Sequence, residues 1–386
     1  MYDFQTVNNR RNSNSVKWDV QKQELPMNLA DMDFQTAPEI ITALQEKVAT
    51  GIFGYENVPL EYYQAVKLWY QQVHQCTLQT EWMLFATGVV PAISSIVRRM
   101  SHAGDNIVVQ PPVYNIFYHS IENNGRHTLT NDLLYQDGSY QINWEQLEQQ
   151  LAQPLTTMML LCNPQNPSGQ IWTKSQLSKL SRLCKQYQVV LVSDEIHGDL
   201  TIGDHDYTPI CSLPRDLLQQ TIALVSPSKT FNLAALHAAT VIVPNQFLRA
   251  QINRGLNNDE LAEPNLVAIP GSIAAYSKGQ KWLSALKQQL QQNYQLVDWY
   301  LQQNLPTIKL ISGGATYLLW LDCSALKIPA DQLATQLQEL EGLLLSPGNI
   351  YRGNGDHFLR MNIACPPEIL QTGLQKLVQG IKLIQK

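Results

Sequence analysis

Lys229 follows two serines, Ser226 and Ser228, shortly after the apolar run at residues 222–225. Burying a lysine at the end of a strand is costly, because its ammonium group must be desolvated or paired. The cost is understandable if the amine acts as a nucleophile toward a carbonyl group, with the hydroxyl groups of Ser226 and Ser228 nearby. A surface lysine in a turn between a strand and a helix explains this stretch equally well. The residues upstream therefore decide between the two interpretations.

Three further apolar runs also end in side chains that could bind a ligand. They are Tyr114 after residues 106–110, Asn166 after residues 158–162, and Asp194 with His197 after residues 189–192. Continuous apolar runs, joined through helical segments such as 144–151 and 174–187, indicate a parallel sheet buried on both faces. Ligands bind beyond the carboxyl ends of the strands in such sheets. Four candidate groups at successive strand ends therefore predict an active site.

Two other features could bind anionic groups. Gly88, Val89 and Val90 open a predicted helix after the strand-like residues 82–86, so free backbone N–H groups there could hold a phosphate. Many helices begin in this way, and the turn alone carries little weight. Arg360 lies beside an apolar strand and offers a planar guanidinium suited to a carboxylate. A surface ion pair is the alternative for this arginine.

Together these groups match the requirements of a pyridoxal 5′-phosphate site. Such a site needs a lysine for the Schiff base and an acidic or basic partner for the pyridine nitrogen. The expected roles are Asp194 at the pyridine nitrogen, Tyr114 stacked on the ring and near the substrate, Asn166 at the ring O3′, Ser226 with residues 87–90 at the phosphate, and Arg360 at the substrate carboxylate. His197 suits a contact with O3′ and a role as a polar neighbour equally well.

The elements that must position these groups indicate an α/β protein of two domains, for which 386 residues suffice. The composition changes near residues 275–285, where a glutamine-rich amphipathic helix begins. We predict a mostly parallel sheet sandwiched by helices in a large cofactor-binding domain, residues 36–279. Residues 1–35 and 280–386 are predicted to form a smaller α+β domain, in which residues 8–15 resemble a surface arm.

Composition excludes several classes of function. The net charge is −5 without a basic stripe, so nucleic acid is an unsuitable partner. The six cysteines are scattered and lack the spacing of a metal site, which indicates reduced thiols and no bound metal. Neither a signal peptide nor a bilayer-length apolar run is present. We expect a soluble, cytoplasmic protein that does not contact a membrane.

The motifs also carry a family resemblance. The sequences NPSG at 166–169, SDEIH at 193–197 and SPSKTFN at 226–232 resemble fold-type I PLP-dependent enzymes, the class I/II aminotransferase superfamily. Within it, further motifs resemble the cystathionine β-lyase (C–S lyase) subgroup of MalY/PatB type: ADMDF at 30–34, GIFGY at 51–55, GVVP at 88–91, QPPVY at 110–114 and DEIH at 194–197. The resemblance covers nearly the whole chain in the expected order.

The resemblance implies specific roles. Lys229 would attach the cofactor and then act as the base at the substrate Cα. Tyr55 would reach the cofactor phosphate of the neighbouring subunit, which implies a homodimer with shared sites. The bond between Asn166 and Pro167 would be cis, which proline permits at small cost. Arg360 would bind the substrate α-carboxylate.

The sequence departs from the family pattern at a few positions. Asn28 and Leu29 stand where Trp-Val is frequent, which could alter the wall of the substrate pocket. Ala235 replaces a usual glycine. His237 replaces an arginine that many aminotransferases use to bind the phosphate, so phosphate binding is expected to be altered while the cofactor stays the same.

The implied activity is a PLP-dependent β-lyase on sulfur amino acids, with L-cystathionine as the leading substrate. The products would be homocysteine, pyruvate and ammonia. One alternative is an aminotransferase on the same scaffold, which would pass the amino group to a keto acid. Another is a PLP-binding regulatory protein with secondary lyase activity.

Overall fold

A computed structural model describes residues 2–311 and 313–385 of the chain. Over these residues the α-helices are α1 (Pro38–Ala49), α2 (Leu60–His74), α3 (Val89–Met100), α4 (Ile116–Glu122), α5 (Trp144–Leu151), α6 (Lys174–Gln186), α7 (Pro227–Thr230), α8 (Gln246–Asn258), α9 (Ala268–Lys278), α10 (Gln280–Asn304), α11 (Ala330–Glu341) and α12 (Pro367–Ile384). The strands are β1 (Leu25–Pro26), β2 (Met83–Ala86), β3 (Asn106–Val109), β4 (His127–Thr130), β5 (Leu134–Gln136), β6 (Ser139–Gln141), β7 (Thr156–Cys162), β8 (Val190–Asp194), β9 (Thr221–Val225), β10 (Ala239–Ile242), β11 (Lys309–Ile311), β12 (Leu318–Asp322), β13 (Leu343–Leu344), β14 (Ser346–Pro347) and β15 (Phe358–Asn362).

A seven-stranded sheet with the order β2-β10-β9-β8-β7-β3-β4 forms the centre of the protein. The pairs β3–β4, β3–β7, β7–β8 and β8–β9 are parallel, whereas β10 runs antiparallel to both of its neighbours. The predicted α/β fold with a mostly parallel sheet is confirmed. The antiparallel strand β10 was not predicted.

Both faces of this sheet are buried, as the continuous apolar runs require. In β7, Met159 and Leu161 belong to one hydrophobic cluster, and Met158 and Leu160 belong to the other. Successive side chains of a strand point to opposite faces, so a strand covered by helices on both sides must be apolar at every position.

A second, four-stranded antiparallel sheet with the order β11-β12-β15-β14 follows in the C-terminal part. Its neighbours include α11, which packs against α12 and contacts β14 and β15. The parallel pair β1–β13 joins the N-terminal segment to the same part of the chain. Arg360 lies in the middle of β15.

The N-terminal residues are held more firmly than a surface arm would be. Residues 8–15 do lie near the surface, but Phe4, Lys17 and Trp18 are buried. The expectation of a surface arm, made for residues 8–15 alone, is therefore confirmed for those residues. The flanking residues anchor it to the rest of the protein.

Several features bear on the classes of function considered above. No helix among the described residues is long and apolar enough to cross a membrane. Within residues 2–311 and 313–385, no group of three or more His, Cys, Asp or Glu side chains could hold a metal ion. The six cysteines are all unpaired and buried.

Candidate active site

A cavity of about 260 Å³ lies at the carboxyl edge of the central sheet. Of the predicted site residues it is lined by Gly88, Val89, Val90, Tyr114, Asn166, Asp194, His197 and Lys229. Its wall also contains residues that were not predicted as site residues, among them Ala30, Cys162, Ile196 and Ser228. Ser226, Tyr55 and Arg360 are not in its lining.

Strand order explains why these residues meet. Asp194 is the last residue of β8, and Lys229 lies in α7 immediately after β9. Tyr114 and Asn166 follow β3 and β7. The strands β3, β7, β8 and β9 are parallel and consecutive in the sheet, so their carboxyl ends share one edge.

The start of α3 forms one end of the cavity. Gly88 is the N-cap residue, with φ 132° and ψ 157°, a conformation that residues with side chains rarely adopt. A Cβ atom there would lie 3.3 Å from Pro91 Cδ. The first N–H groups of a helix lack intrahelical partners, so those of Val89 and Val90 suit a phosphate.

The two serines before Lys229 differ in their surroundings. Ser228 lines the cavity, whereas the Ser226 hydroxyl lies 2.7 Å from Ala238 O and 2.7 Å from Ser228 Oγ. Ser226 also accepts a hydrogen bond from the Ser228 N–H at 3.1 Å and so caps α7. Ser228 therefore lines the cavity itself, and Ser226 is hydrogen-bonded to Ser228. His237 lines the same cavity in a left-handed backbone conformation, φ 51°.

The amine of Lys229 has a backbone partner and a lowered pKa. Its Nζ donates a hydrogen bond to Ala30 O at 2.6 Å. Burial and the positive charge of Arg360 lower the pKa of Lys229 to about 8, against the opposing effects of Asp31 and Asp194. A larger share of the amine is therefore neutral near neutral pH than in a free lysine.

Asp194 is a buried carboxyl group with a raised pKa. Burial raises its pKa to about 7, the nearby Glu195 adds to this, and the Ile196 N–H and the Lys229 amine oppose it. The Ile196 N–H donates to Asp194 Oδ1 at 3.1 Å. A protonated pyridine ring in the cavity would supply the missing positive partner.

His197 lines the same cavity and has a buried polar atom without a partner among the described residues. The side chain is buried, and its Nδ1 has no hydrogen-bond partner among the described residues. Burial and the charges of Lys229 and Arg360 lower the pKa of His197 to about 3, so the ring is neutral. Buried polar atoms normally have partners, and a ligand oxygen could provide one.

Arg360 is buried and is not part of a surface ion pair. Its Nη1 donates to Asn166 Oδ1 at 3.0 Å, and its Nη2 donates to Asn28 O at 2.8 Å. Its Nε is buried without a partner among residues 2–311 and 313–385. The guanidinium therefore lies beside the cavity, one hydrogen bond behind Asn166, with N–H groups left for an anion.

Asn166 and Tyr114 form further parts of the wall. The bond between Asn166 and Pro167 is cis, as the resemblance implies. Since Asn166 Oδ1 accepts from Arg360, its Nδ2 can donate to a ligand. Burial and the charge of Asp194 raise the pKa of Tyr114 to about 12, which keeps the hydroxyl protonated.

Tyr55 does not reach the cavity of its own chain. It is fully exposed, and Ile52 and Phe53 next to it are exposed as well. The expected contact of Tyr55 with the cofactor phosphate of a neighbouring subunit stays a prediction.

Sequence reasoning missed two groups around Lys229. Asp199 is partly buried and accepts hydrogen bonds from the Thr230 hydroxyl at 2.8 Å and from Trp69 Nε1 at 2.9 Å, which ties α7 to α2. Its position two residues after His197 was the available signal. The Ala30 carbonyl carried none, because every residue has such a group.

Comparison with known proteins agrees with this geometry. The family model for aminotransferase class I and II matches residues 23–377. Cystathionine beta-lyase PatB of Bacillus subtilis (strain 168) is 40% identical over 97% of this chain and 98% of that protein. Protein MalY of Escherichia coli (strain K12) is 32% identical over 100% of both chains. The crystal structure of cystalysin from Treponema denticola, which contains a pyridoxal 5′-phosphate cofactor, has a TM-score of 0.96 and 30% identity over 100% of both chains.

The match extends through both sheets and includes every predicted site residue that lines the cavity. An identity of 40% over 97% of the chain is far above the level at which only a fold is shared. The chain belongs to the aminotransferase class I and II family, in the group that also contains PatB and MalY.

Proposed function

We propose that the protein is a PLP-dependent carbon–sulfur β-lyase that cleaves L-cystathionine and related cysteine S-conjugates. The observation that carries the proposal is the joint presence of Lys229, Asp194 and Asn166 in one cavity of a chain that is 40% identical to a cystathionine β-lyase. The reaction breaks the Cα–H and Cβ–S bonds and forms a Cα=Cβ bond. The thiolate takes up a proton, and the released unsaturated amino acid reacts with water to give pyruvate and ammonia.

The cofactor would be held by residues with distinct tasks. Lys229 would bind it covalently, and Asp194 would pair with its pyridine nitrogen. The Asn166 amide and the neutral His197 would contact the ring oxygen, and Tyr114 would stack on the ring. When bound, pyridoxal phosphate draws electrons away from the substrate Cα.

The phosphate end would lie at the opening of α3. The N–H groups of Val89 and Val90 belong to the first turn of α3, where helix N–H groups suit a phosphate. Ser228 lines the same cavity. We assign Ser226 a supporting part, since its hydroxyl is bonded to Ser228 and to Ala238 O.

The substrate would be oriented by Arg360 and deprotonated by Lys229. The N–H groups of Arg360 that are not bonded to Asn166 and Asn28 suit the α-carboxylate. The lowered pKa of Lys229 supports a role as the base at Cα, because a base must be neutral to accept the proton.

We also propose a homodimer with shared sites in the cytoplasm. The exposed Ile52, Phe53 and Tyr55 support a subunit interface in which the Tyr55 hydroxyl reaches the partner's cofactor phosphate. Six unpaired cysteines suit a reducing compartment. The pairing of β1 with β13 supports a small domain of residues 1–35 and 280–386 beside a large domain of residues 36–279.

The deciding experiment incubates the purified holoprotein with L-cystathionine and measures pyruvate and free thiol together. We expect both to appear in equal amounts without any added keto acid. Lys229→Ala, loaded with cofactor, serves as the inactive control. Amino transfer to an added keto acid without release of thiol would instead assign the protein as an aminotransferase, and a cofactor-loaded protein that gives neither product would refute both.

A further inference from the structure

The loop of residues 28–34, called the 28–34 loop below, is held by side chains to an unusual degree. The backbone carbonyl of every residue in it accepts a hydrogen bond from a side chain elsewhere in the chain: Arg360 and Ser346 at Asn28, Asn362 at Leu29, Lys229 and Tyr317 at Ala30, Lys17 and Asn362 at Asp31, Arg10 and Asn232 at Met32, Asn8 at Asp33, and Asn232 at Phe34. Carbonyl groups in helices and sheets are paired with other backbone groups. The carbonyl groups of this loop are therefore held by side chains, and a backbone bond from the Asp33 N–H to Ala364 O at 2.9 Å adds to them.

Residues 8–18, called the N-terminal arm below, form a buried charge pair with the loop. Lys17 Nζ lies 2.9 Å from Asp33 Oδ2, and both side chains are at most 4% exposed. Asp33 Oδ1 also accepts from Trp18 Nε1 at 2.6 Å and from Arg10 Nη1 at 3.0 Å. Removing one partner of such a pair leaves an uncompensated buried charge, so the arm and the loop are strongly coupled.

The same arm also binds the loop at Asp31, the residue after Ala30. Arg10 binds Asp31 through both terminal nitrogens, at 2.7 Å and 2.9 Å. Lys17 Nζ donates to Asp31 O at 3.0 Å. A two-point contact of this kind fixes orientation as well as distance, and it acts one residue away from the carbonyl of Ala30.

The Ala30 carbonyl is the one that contacts the reactive amine. It accepts hydrogen bonds from Lys229 Nζ at 2.6 Å and from the Tyr317 hydroxyl at 3.2 Å. Tyr317 is 1% exposed. A carbonyl oxygen has two lone pairs, so Tyr317 can hold one while the amine uses the other.

We propose that Arg10, Lys17, Asp33 and Tyr317 are positioning residues that hold the Ala30 carbonyl where it orients the free Lys229 amine. None of the four needs to touch cofactor or substrate; each acts through the 28–34 loop. The inference rests on the proposed function, because it takes Lys229 as the group that binds the cofactor and moves the Cα proton. It couples Arg10 and Lys17, near the N-terminus, to the active site through the 28–34 loop.

The first test removes only the hydroxyl that holds the carbonyl, by Tyr317→Phe. Tyr118→Phe is the matched control, because the buried Tyr118 hydroxyl likewise donates to a backbone carbonyl, that of Tyr351, at 3.0 Å. A net neutral hydrogen bond corresponds to about 2- to 10-fold in a rate or equilibrium constant. We expect kcat to fall by about this factor in Tyr317→Phe with an unchanged KM, and to stay constant in the control.

The second test measures the amine without turnover. The apoprotein is mixed with pyridoxal 5′-phosphate, and the rate at which Lys229 combines with it is followed by the absorbance of the bound cofactor. We expect Tyr317→Phe and Asp33→Asn to slow this step. Asp259→Asn, which breaks the 2.7 Å ion pair with Arg98 elsewhere, should leave the rate unchanged.

Unfolding temperatures separate positioning from stability. The proposal is overturned if Tyr317→Phe combines with the cofactor and turns over substrate at wild-type rates. This includes the case in which a lower unfolding temperature is the only change in that variant. If Asp33→Asn does not fold, Tyr317→Phe still decides the matter. A wild-type protein that makes no pyruvate would refute the proposed function, whereas slower combination with the cofactor in Tyr317→Phe would still support the positioning of Lys229.

Discussion

Replacing Arg360 by lysine tests the carboxylate site, because the change keeps the charge and removes the planar fork. Arginine has five N–H donors and lysine has three. Asn166 Oδ1 and Asn28 O each take one donor of Arg360. Three N–H groups therefore remain for the substrate carboxylate in the wild type, but only one would remain in Arg360→Lys if both protein contacts persisted.

The magnitude follows from this count. A carboxylate bound by two N–H groups in the wild type keeps one in the variant, and a hydrogen bond to a charged group contributes about 1.5–3 kcal/mol. Since 1.4 kcal/mol corresponds to a factor of ten, kcat/KM for L-cystathionine should fall about 10- to 150-fold. The effect should be found mainly in KM, because the carboxylate takes no part in bond breaking.

The assay follows pyruvate with cystathionine and with its α-methyl ester. If Arg360 contacts the carboxylate, esterification should lower kcat/KM strongly in the wild type and only weakly in Arg360→Lys, as in a double-mutant cycle. Arg126→Lys is the control, since Arg126 is bonded to Ser101 away from the cavity. Equal effects of the ester on both proteins, with unchanged unfolding temperatures, would refute the assignment of Arg360 to the substrate carboxylate.

Three other outcomes are expected. Lys229→Ala should bind the cofactor without a covalent bond and should form no pyruvate; turnover at the wild-type level in that variant would exclude Lys229 as anchor and base. The rate at which the wild-type apoprotein combines with pyridoxal phosphate should rise with pH and level off above about pH 8, because the neutral amine reacts and the pKa of Lys229 is lowered to about 8; a rate still rising at pH 10 would indicate an ordinary exposed lysine. Heterodimers of Tyr55→Ala and Lys229→Ala subunits should recover up to about half of the wild-type activity, because in a two-fold dimer one site would carry both defects and the other neither; purified heterodimers that stay inactive would show that Tyr55 does not complete the partner's site.

Much of the site could be predicted because the relevant signals are local. The apolar run of β7 and the polar groups that follow it are contiguous in sequence, and the same holds for β8 with Asp194 and for β9 with Lys229. Parallel strands present their carboxyl ends at one edge whatever their order. A rule about strand ends was therefore enough to predict that Tyr114 and Asn166 line the same cavity.

Other features needed the folded chain. Strand β10 is only four residues long, and its place depends on pairing with β2 and β9, which lie at other points in the sequence. The alternative of a surface ion pair for Arg360 was settled only by its burial and by its bonds to Asn166 and Asn28. Strand pairing and burial are long-range properties, so a short segment cannot determine them by itself.

The sequence by itself was enough to infer the fold class and the cofactor and to predict Lys229 as the residue that binds it, since each inference depends on residue type and on the order of apolar and polar residues. The tertiary structure decided how that lysine is held. The Ala30 carbonyl next to the Lys229 amine is a backbone group that every residue has, and only folding brings it within 2.6 Å. The pair of Lys17 and Asp33 likewise gained its importance from burial, because opposite charges that are exposed to water interact only weakly.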